Sequence, residues 1–279
     1  MKSIFDSALK FIIYGNYYIS FAAFVLTYVT IDLSFNLKLT VSVFNALGVF
    51  AIYNLSRAAQ TSSNAVSFPG HSLRMGWIKK HQKLLFIQGI ISIFLAFGCG
   101  IFIPINILLI LLLGAFISIL YYFPVLRIKV YPEGVKLRNI NFLKLFLISL
   151  CWTLVTMADI IYLNQKPDYT EFIIRFIFII SITIPFDIRD QKIDTEIKLK
   201  TLANQLGTSK AKMLVIGLWI LLISIMAITY EKEIVGFLPL FLTAFLLIIR
   251  LNDSNNDYYY AAGWDGLIYL YALGYYFAQ

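Results

Sequence analysis

The sequence predicts an all-α membrane protein with nine transmembrane helices in one bundle. Three observations predict it. The chain of 279 residues is 60% hydrophobic, with a mean hydropathy of +0.79. Only 14% of its residues are charged, against roughly 25% in a soluble domain. A soluble fold of this length would have to expose large apolar patches, whereas lipid accepts them. Finally, the basic residues gather in alternate inter-helix segments, the signature of membrane topology.

A helix needs about 20 residues to cross the hydrocarbon core. Nine apolar runs meet or approach that length: Phe11–Ile31, Leu39–Asn54, Leu84–Phe102, Ile105–Phe123, Phe142–Leu163, Phe172–Phe186, Met213–Tyr230, Ile234–Leu251 and Gly263–Phe277. The shorter ones extend into their flanks. The first follows Lys2 and Lys10 as a signal peptide would, but it is too long for a secretory apolar segment and shows no cleavage pattern. It reads as the first membrane helix. The third and fourth are split only by Ile103 and Pro104. Proline lacks an N–H and suits the first turn of a new helix, so a tight hairpin is expected there. There is no repeat of solenoid length, no low-complexity tract and no linker, so residues 1–279 read as a single domain.

With the N-terminus placed in the cytoplasm, nineteen of the twenty-three basic residues fall on the inner side. The outer side keeps only Lys38, Lys166, Arg175 and Lys232. This bias accounts for the net charge of +8 and fits nine crossings. It leaves no soluble basic patch for nucleic acid. Cys99 and Cys151 lie inside apolar runs, and His71 and His81 have no companion ligands, which excludes a disulfide framework or a zinc site. Three inner segments are long: Ser56–Lys83, Pro124–Asn141 and Asp187–Lys212. Function is expected on that cytoplasmic face.

The most informative stretch runs from Pro185 to Asp194, Pro-Phe-Asp-Ile-Arg-Asp-Gln-Lys-Ile-Asp. Asp187, Asp190 and Asp194 fall at i, i+3 and i+7, on one helical face. Stacked carboxylates repel unless positive charge sits between them. Magnesium takes oxygen ligands and is usually shared with phosphate, so the ladder suits an Mg²⁺–diphosphate clamp. The plainer alternative is a solvated helix end whose acids are neutralised by Arg189 and Lys192.

The stretch continues Thr201-Leu-Ala-Asn-Gln-Leu-Gly207. Together the two segments resemble the second aspartate motif of the UbiA superfamily of intramembrane prenyltransferases, Asp-x-x-Asp-x-x-x-Asp followed by Thr-Leu-Ala-x-x-Leu-Gly. Tyr121-Tyr-Phe-Pro-Val-Leu-Arg127 resembles that family's tyrosine–proline–leucine–basic element. The resemblance implies a helical bundle around a central cavity open to lipid, with two Asp-rich motifs at its cytoplasmic end. These hold Mg²⁺ and the diphosphate of an isoprenyl donor. Ionisation gives an allylic cation that alkylates a lipophilic, usually aromatic, acceptor.

The first motif departs from the pattern. Where the family reads Asn-Asp-x-x-Asp-x-x-x-Asp, this chain keeps Asn54 but has Leu55, Ala58 and Ser62 at the acidic positions. No acid occurs between Asp32 and Glu133, so no shifted alignment restores them. Arg57, one turn from Asn54, is a candidate to supply the missing positive charge; its alternative reading is a cytoplasmic anchor. Lys129, Lys136 and Arg138 are further candidates for diphosphate contacts. Asn16, Asn45, Asp159 and Asp265 lie inside apolar runs, and both acids are expected toward the outer halves of their helices, away from the ladder.

The resulting expectation is a membrane prenyltransferase. Asp187, Asp190 and Asp194 hold Mg²⁺; Asn54, Arg57, Lys129, Lys136 and Arg138 contact the isoprenyl diphosphate; the partners are a lipophilic acceptor and membrane lipid. The alternative is a non-catalytic relative that binds isoprenoid lipid or scaffolds a complex. A transporter fits less well, because corresponding halves show no matched helix breaks.

Overall fold

The computed structural model of the chain describes residues 2–62, 73–122, 126–128, 131–135, 143–159, 169–196 and 201–278. Each of the nine apolar runs is carried by helix within this set. The helices are α1 (Lys2–Tyr14), α2 (Tyr17–Thr30), α3 (Phe35–Ser62), α4 (Leu73–Lys80), α5 (Gln82–Gly100), α6 (Ile105–Tyr122), α7 (Leu143–Thr156), α8 (Tyr169–Glu196), α9 (Leu202–Leu206), α10 (Thr208–Tyr230), α11 (Leu238–Arg250) and α12 (Leu267–Ala278). A 3₁₀ segment, Glu231–Phe237, precedes α11, and a π-helical segment, Tyr259–Trp264, precedes α12. Among the described residues the exception to helix is a small antiparallel pair, β1 (Leu126–Ile128) and β2 (Tyr131–Val135), with Leu126 opposite Val135. It occupies part of a segment expected to be a loop.

Large apolar side chains cover the outside, among them Phe94, Phe97, Phe102, Phe245 and Ile228. Such a surface belongs to an integral membrane protein. By length and apolarity Phe35–Ala59, Gln82–Gly100 and Thr208–Arg250 can each cross a membrane, and the bent pair α1–α2 qualifies as a fourth span. Thr208–Arg250 is a hairpin rather than one rod. Lys212 Nζ donates to the Ile249 carbonyl at 3.0 Å, yet 37 residues of continuous helix would hold those positions about 55 Å apart. The count of nine crossings rests on the hydropathy pattern alone.

The first run is not one continuous helix. α1 and α2 meet at 59° across Gly15 and Asn16. Asn16 adopts the left-handed conformation, with φ of 65°, which asparagine tolerates better than most residues. A Cβ on Gly15 would strike the Phe11 carbonyl oxygen.

Contacts between helices fix their directions. Asn16 meets Asn54, and Asn45 meets Thr27, so α2 and α3 are antiparallel. Lys144 meets Asp187, and Thr156 meets Arg175, so α7 and α8 are antiparallel too. The bundle thus has two distinct ends. One gathers Asn16, Asn54, Lys144 and the Asp ladder. The other is closed by a buried polar network. There Arg175, fully buried, donates to Glu171 Oε1 at 2.7 Å and to Thr30 Oγ1 at 2.7 Å. The hydroxyls of Tyr230 and Tyr271 also donate to Glu171. One network thereby ties α2, α8, α10 and α12 together. Nearby, Asp159 accepts the Asp32 N–H at 2.8 Å. Arg175, counted from sequence among the outer-side charges, is fully buried at the end away from the ladder.

Candidate active site

The Asp ladder stands on the last turns of α8, which continues helically through what the sequence suggested was a loop. Pro185 lies inside that helix, two residues before the ladder, and leaves a helical rung unmade. The motif's second half then folds back against the first. Gln191 Nε2 donates to the Ala203 carbonyl of α9 at 3.1 Å, and Thr208 Oγ1 donates to Gln191 Oε1 at 2.7 Å. Leu202 and Ala203 are buried beneath. Gly207, with φ of 80°, lets the chain turn from α9 into α10. The Thr-Leu-Ala-x-x-Leu-Gly segment is therefore the buttress of the ladder.

The three acids are not equivalent. Asp187 is 1% exposed and receives Lys144 Nζ from the first turn of α7. Asp190 is chelated by its neighbour: Arg189 Nε donates to Oδ1 at 2.7 Å and Nη2 to Oδ2 at 2.8 Å. Arg74 of α4 adds a third cation, its Nη2 lying 3.9 Å from the same Oδ1. Burial pushes the Asp190 carboxyl up, but Arg189 and then Arg74 outweigh it and hold the group well below the usual carboxylate range. Asp194 is buried as well. Lys192, proposed from sequence as a neutralising charge for the ladder, points away and pairs with Asp253 at 3.2 Å.

The remnants of the first motif lie at the same end of the bundle. Asn54 is fully buried, and its Oδ1 accepts Asn16 Nδ2 at 2.7 Å. Its own Nδ2 has no acceptor among the described residues. Arg57 is a charged neighbour of Arg74 and of Asp265. Asp265 thus belongs to this end of the bundle, a correction of the outer placement read from sequence: the ninth run starts on the ladder's side, and Asp265 lies in its first turn. Lys129, Lys136 and Arg138 lie outside the described residues.

Two contributors were missed in the sequence. Lys144 looked like an inner-side anchor. Arg74 lay among ordinary loop charges, and nothing in its spacing marked it. It reaches the site because α4 is pinned by Trp77, which packs against Phe11, Tyr14 and His81. Burial, then the like charges of Arg189 and Arg57, pull the Arg74 guanidinium down from its ordinary range. Asp190 and Asp257 act in the opposite sense. Arg189 is steadied over the faces of Phe186 and Tyr260, at 5.0 and 5.6 Å.

Below the charged groups an apolar cavity opens between α3, α6 and α7, with about 710 Å³ of empty space including its mouth. Tyr53 and Tyr121 line it at the charged end, and Phe44, Leu111 and Val155 at the other. From Phe44 to Tyr53 it follows α3 for about 14 Å at the helical rise.

These elements recur in known structures. A UbiA homolog from Archaeoglobus fulgidus, solved with GPP and Mg²⁺, superimposes with a TM-score of 0.67 at 14% identity, over 96% of this chain and 98% of that one. The chain has the UbiA fold. The same homolog bound to DMAPP and Mg²⁺ gives 0.67, also at 14% identity and over the same shares of both chains. A digeranylgeranylglyceryl phosphate synthase gives 0.50 at 16% identity, over 93% of this chain and 91% of that one. No protein-family model and no curated protein sequence matches the chain. On the UbiA fold, the Asp ladder and Asn54 lie at the same end of the bundle.

The residues of this UbiA fold suit Mg²⁺ in donor chemistry. Among the described residues no three acids, histidines or cysteines are gathered as a ready-made metal cage. Magnesium does not require one, since it is held by one or two carboxylates plus the phosphates it accompanies. Asp187, Asp190 and Asp194 offer such oxygens on the α8 side. The α3 side, with Leu55, Ala58 and Ser62, offers none.

Proposed function

We propose that this protein is an intramembrane prenyltransferase that moves an isoprenyl chain from its diphosphate to a lipophilic, aromatic acceptor. The observation that carries this reading is the Asp ladder, at the end of the bundle that also holds Asn54, together with an apolar cavity whose Tyr121 neighbours Lys144. Mg²⁺ held by Asp187, Asp190 and Asp194 would neutralise the leaving diphosphate. Asn54 and Arg57 donate to phosphate oxygens and keep the head group at the mouth. The isoprenyl chain lies in the cavity, whose apolar walls exclude water from the allylic centre. The allylic C–O bond breaks, pyrophosphate leaves, and the acceptor carbon bonds to the chain and then gives up its proton. The N-terminus and the site face the cytoplasm in this reading, supported by the distribution of basic residues.

The test is to incubate the purified chain with Mg²⁺ and isoprenyl diphosphates of several lengths, with and without aromatic acceptors, and to measure pyrophosphate. Release that depends on Mg²⁺ and falls in Asp187→Asn and Asp194→Asn is expected. Diphosphate binding with no release would favour the non-catalytic, lipid-binding reading, which the ion pairs on Asp187 and Asp190 make a real rival.

A further inference from the structure

What the fold brings to the acid-free α3 side is guanidinium. Arg74 of α4 and Arg189 of α8 approach one carboxylate oxygen, Asp190 Oδ1, at 3.9 and 2.7 Å. Arg57 of α3 is the next charged neighbour of Arg74. Like charges from three helices stay together only if anionic groups hold them. Asp190, already bidentate to Arg189, does not exhaust their donors. Arg74 Nε, Arg189 Nη1 and Asn54 Nδ2 are all buried N–H groups without an acceptor among the described residues. Unmet buried donors at one end of a bundle call for a ligand rich in acceptors, and a cation cannot serve. Phosphate oxygens match guanidinium forks well.

We propose that Arg57, Arg74 and Arg189, with Asn54 one turn from Arg57 on α3, grip one phosphate of the diphosphate directly, and that metal is confined to the α8 side of the site. The proposal rests on the prenyl-diphosphate reading above but concerns binding rather than turnover. Asp190, whose Oδ1 lies between Arg74 and Arg189, positions the two guanidiniums besides serving the ladder's metal. Asp257 and Asp265 lie beside the same guanidiniums, so the cradle is no bare positive field. It acts through aimed N–H donors, and the ladder's metal carries the remaining charge.

Binding of inorganic pyrophosphate to the full chain in detergent, followed by calorimetry at saturating Mg²⁺, tests this. Arg74→Ala should weaken binding about ten- to a hundredfold, the loss of a charge-assisted contact. Raising Mg²⁺ further should not restore it. Arg74→Lys should recover part of the loss, since the planar fork is gone but the charge remains. Arg74→Gln, a polar helix former without the charge or the fork, controls for damage to α4: it should lose pyrophosphate affinity at an unchanged melting temperature. In Asp194→Asn, by contrast, added Mg²⁺ should compensate. Arg74→Ala binding as tightly as the parent, or rescued by extra Mg²⁺, would overturn the cradle, as would a parent that binds no pyrophosphate. A parent that binds pyrophosphate through Arg74 but never releases it from prenyl diphosphates would overturn the transferase reading and leave the cradle standing.

Discussion

Replacing Lys144 with methionine isolates the most deeply placed charge pair of the site. Asp187 is 1% exposed and Lys144 is its cation. Methionine keeps the length and apolar stem and removes the charge. A buried carboxylate deprived of its partner costs about 3–5 kcal/mol. At about 2–4 °C per kcal/mol, the order found for chains of 150–250 residues, the melting temperature should fall by about 6–20 °C. The variant can recover through metal. Mg²⁺ can take the lysine's place, and at a hundred times its dissociation constant it returns about 2.7 kcal/mol. Thermal unfolding in detergent, with EDTA or with Mg²⁺, reads the recovery. Lys144→Met should melt well below the parent in EDTA and gain more from Mg²⁺ than the parent does. Adding Asp187→Leu should return much of the stability and abolish the Mg²⁺ response, because an apolar pair replaces an ionic one. A single variant that melts with the parent in EDTA would refute the pairing argument. A double variant less stable than the single would do the same.

Three further outcomes follow from the same geometry. Arg57→Ala should cost about ten- to a hundredfold in diphosphate affinity or turnover, with Arg57→Lys intermediate; parent-like activity would leave Arg57 a topological anchor. Filling the cavity with Gly48→Leu, a position that a Cβ alone would not crowd, should shift preference toward shorter isoprenyl diphosphates in a competition assay, and an unchanged length profile would place the chain elsewhere. Cysteines introduced at Ser62 and Lys232 should label from opposite sides of the membrane, the Ser62 position from the cytoplasm; labelling from one side would undo the orientation.

Much of the architecture was legible because lipid imposes a simple rule. Apolar runs of sufficient length must be helices, since no other open segment satisfies its backbone there. The break at Gly15-Asn16 was also written in the chain, as a turn-forming dipeptide, but the apolar residues on both sides hid it. The ladder was readable because three acids at i, i+3 and i+7 are rare beside a membrane span. What escaped was each acid's partner. Nothing local distinguishes Lys144 or Arg74 from a dozen other inner-side cations, and only tertiary packing, with α7 against α8 and Trp77 holding α4, selects them. Asp265 was misplaced by a simple error of direction, since a residue at the start of an odd-numbered span lies on the inner side. The short strand pair had no signal beyond two β-branched residues and a glycine.

The Arg175–Glu171 network has a consequence for lipid traffic. Opening that end would part a buried guanidinium from its buried carboxylate, at about 3–5 kcal/mol, so α2, α8, α10 and α12 stay fastened to one another there. Any breathing of the bundle that admits a large amphiphile is left to the end that carries the ladder.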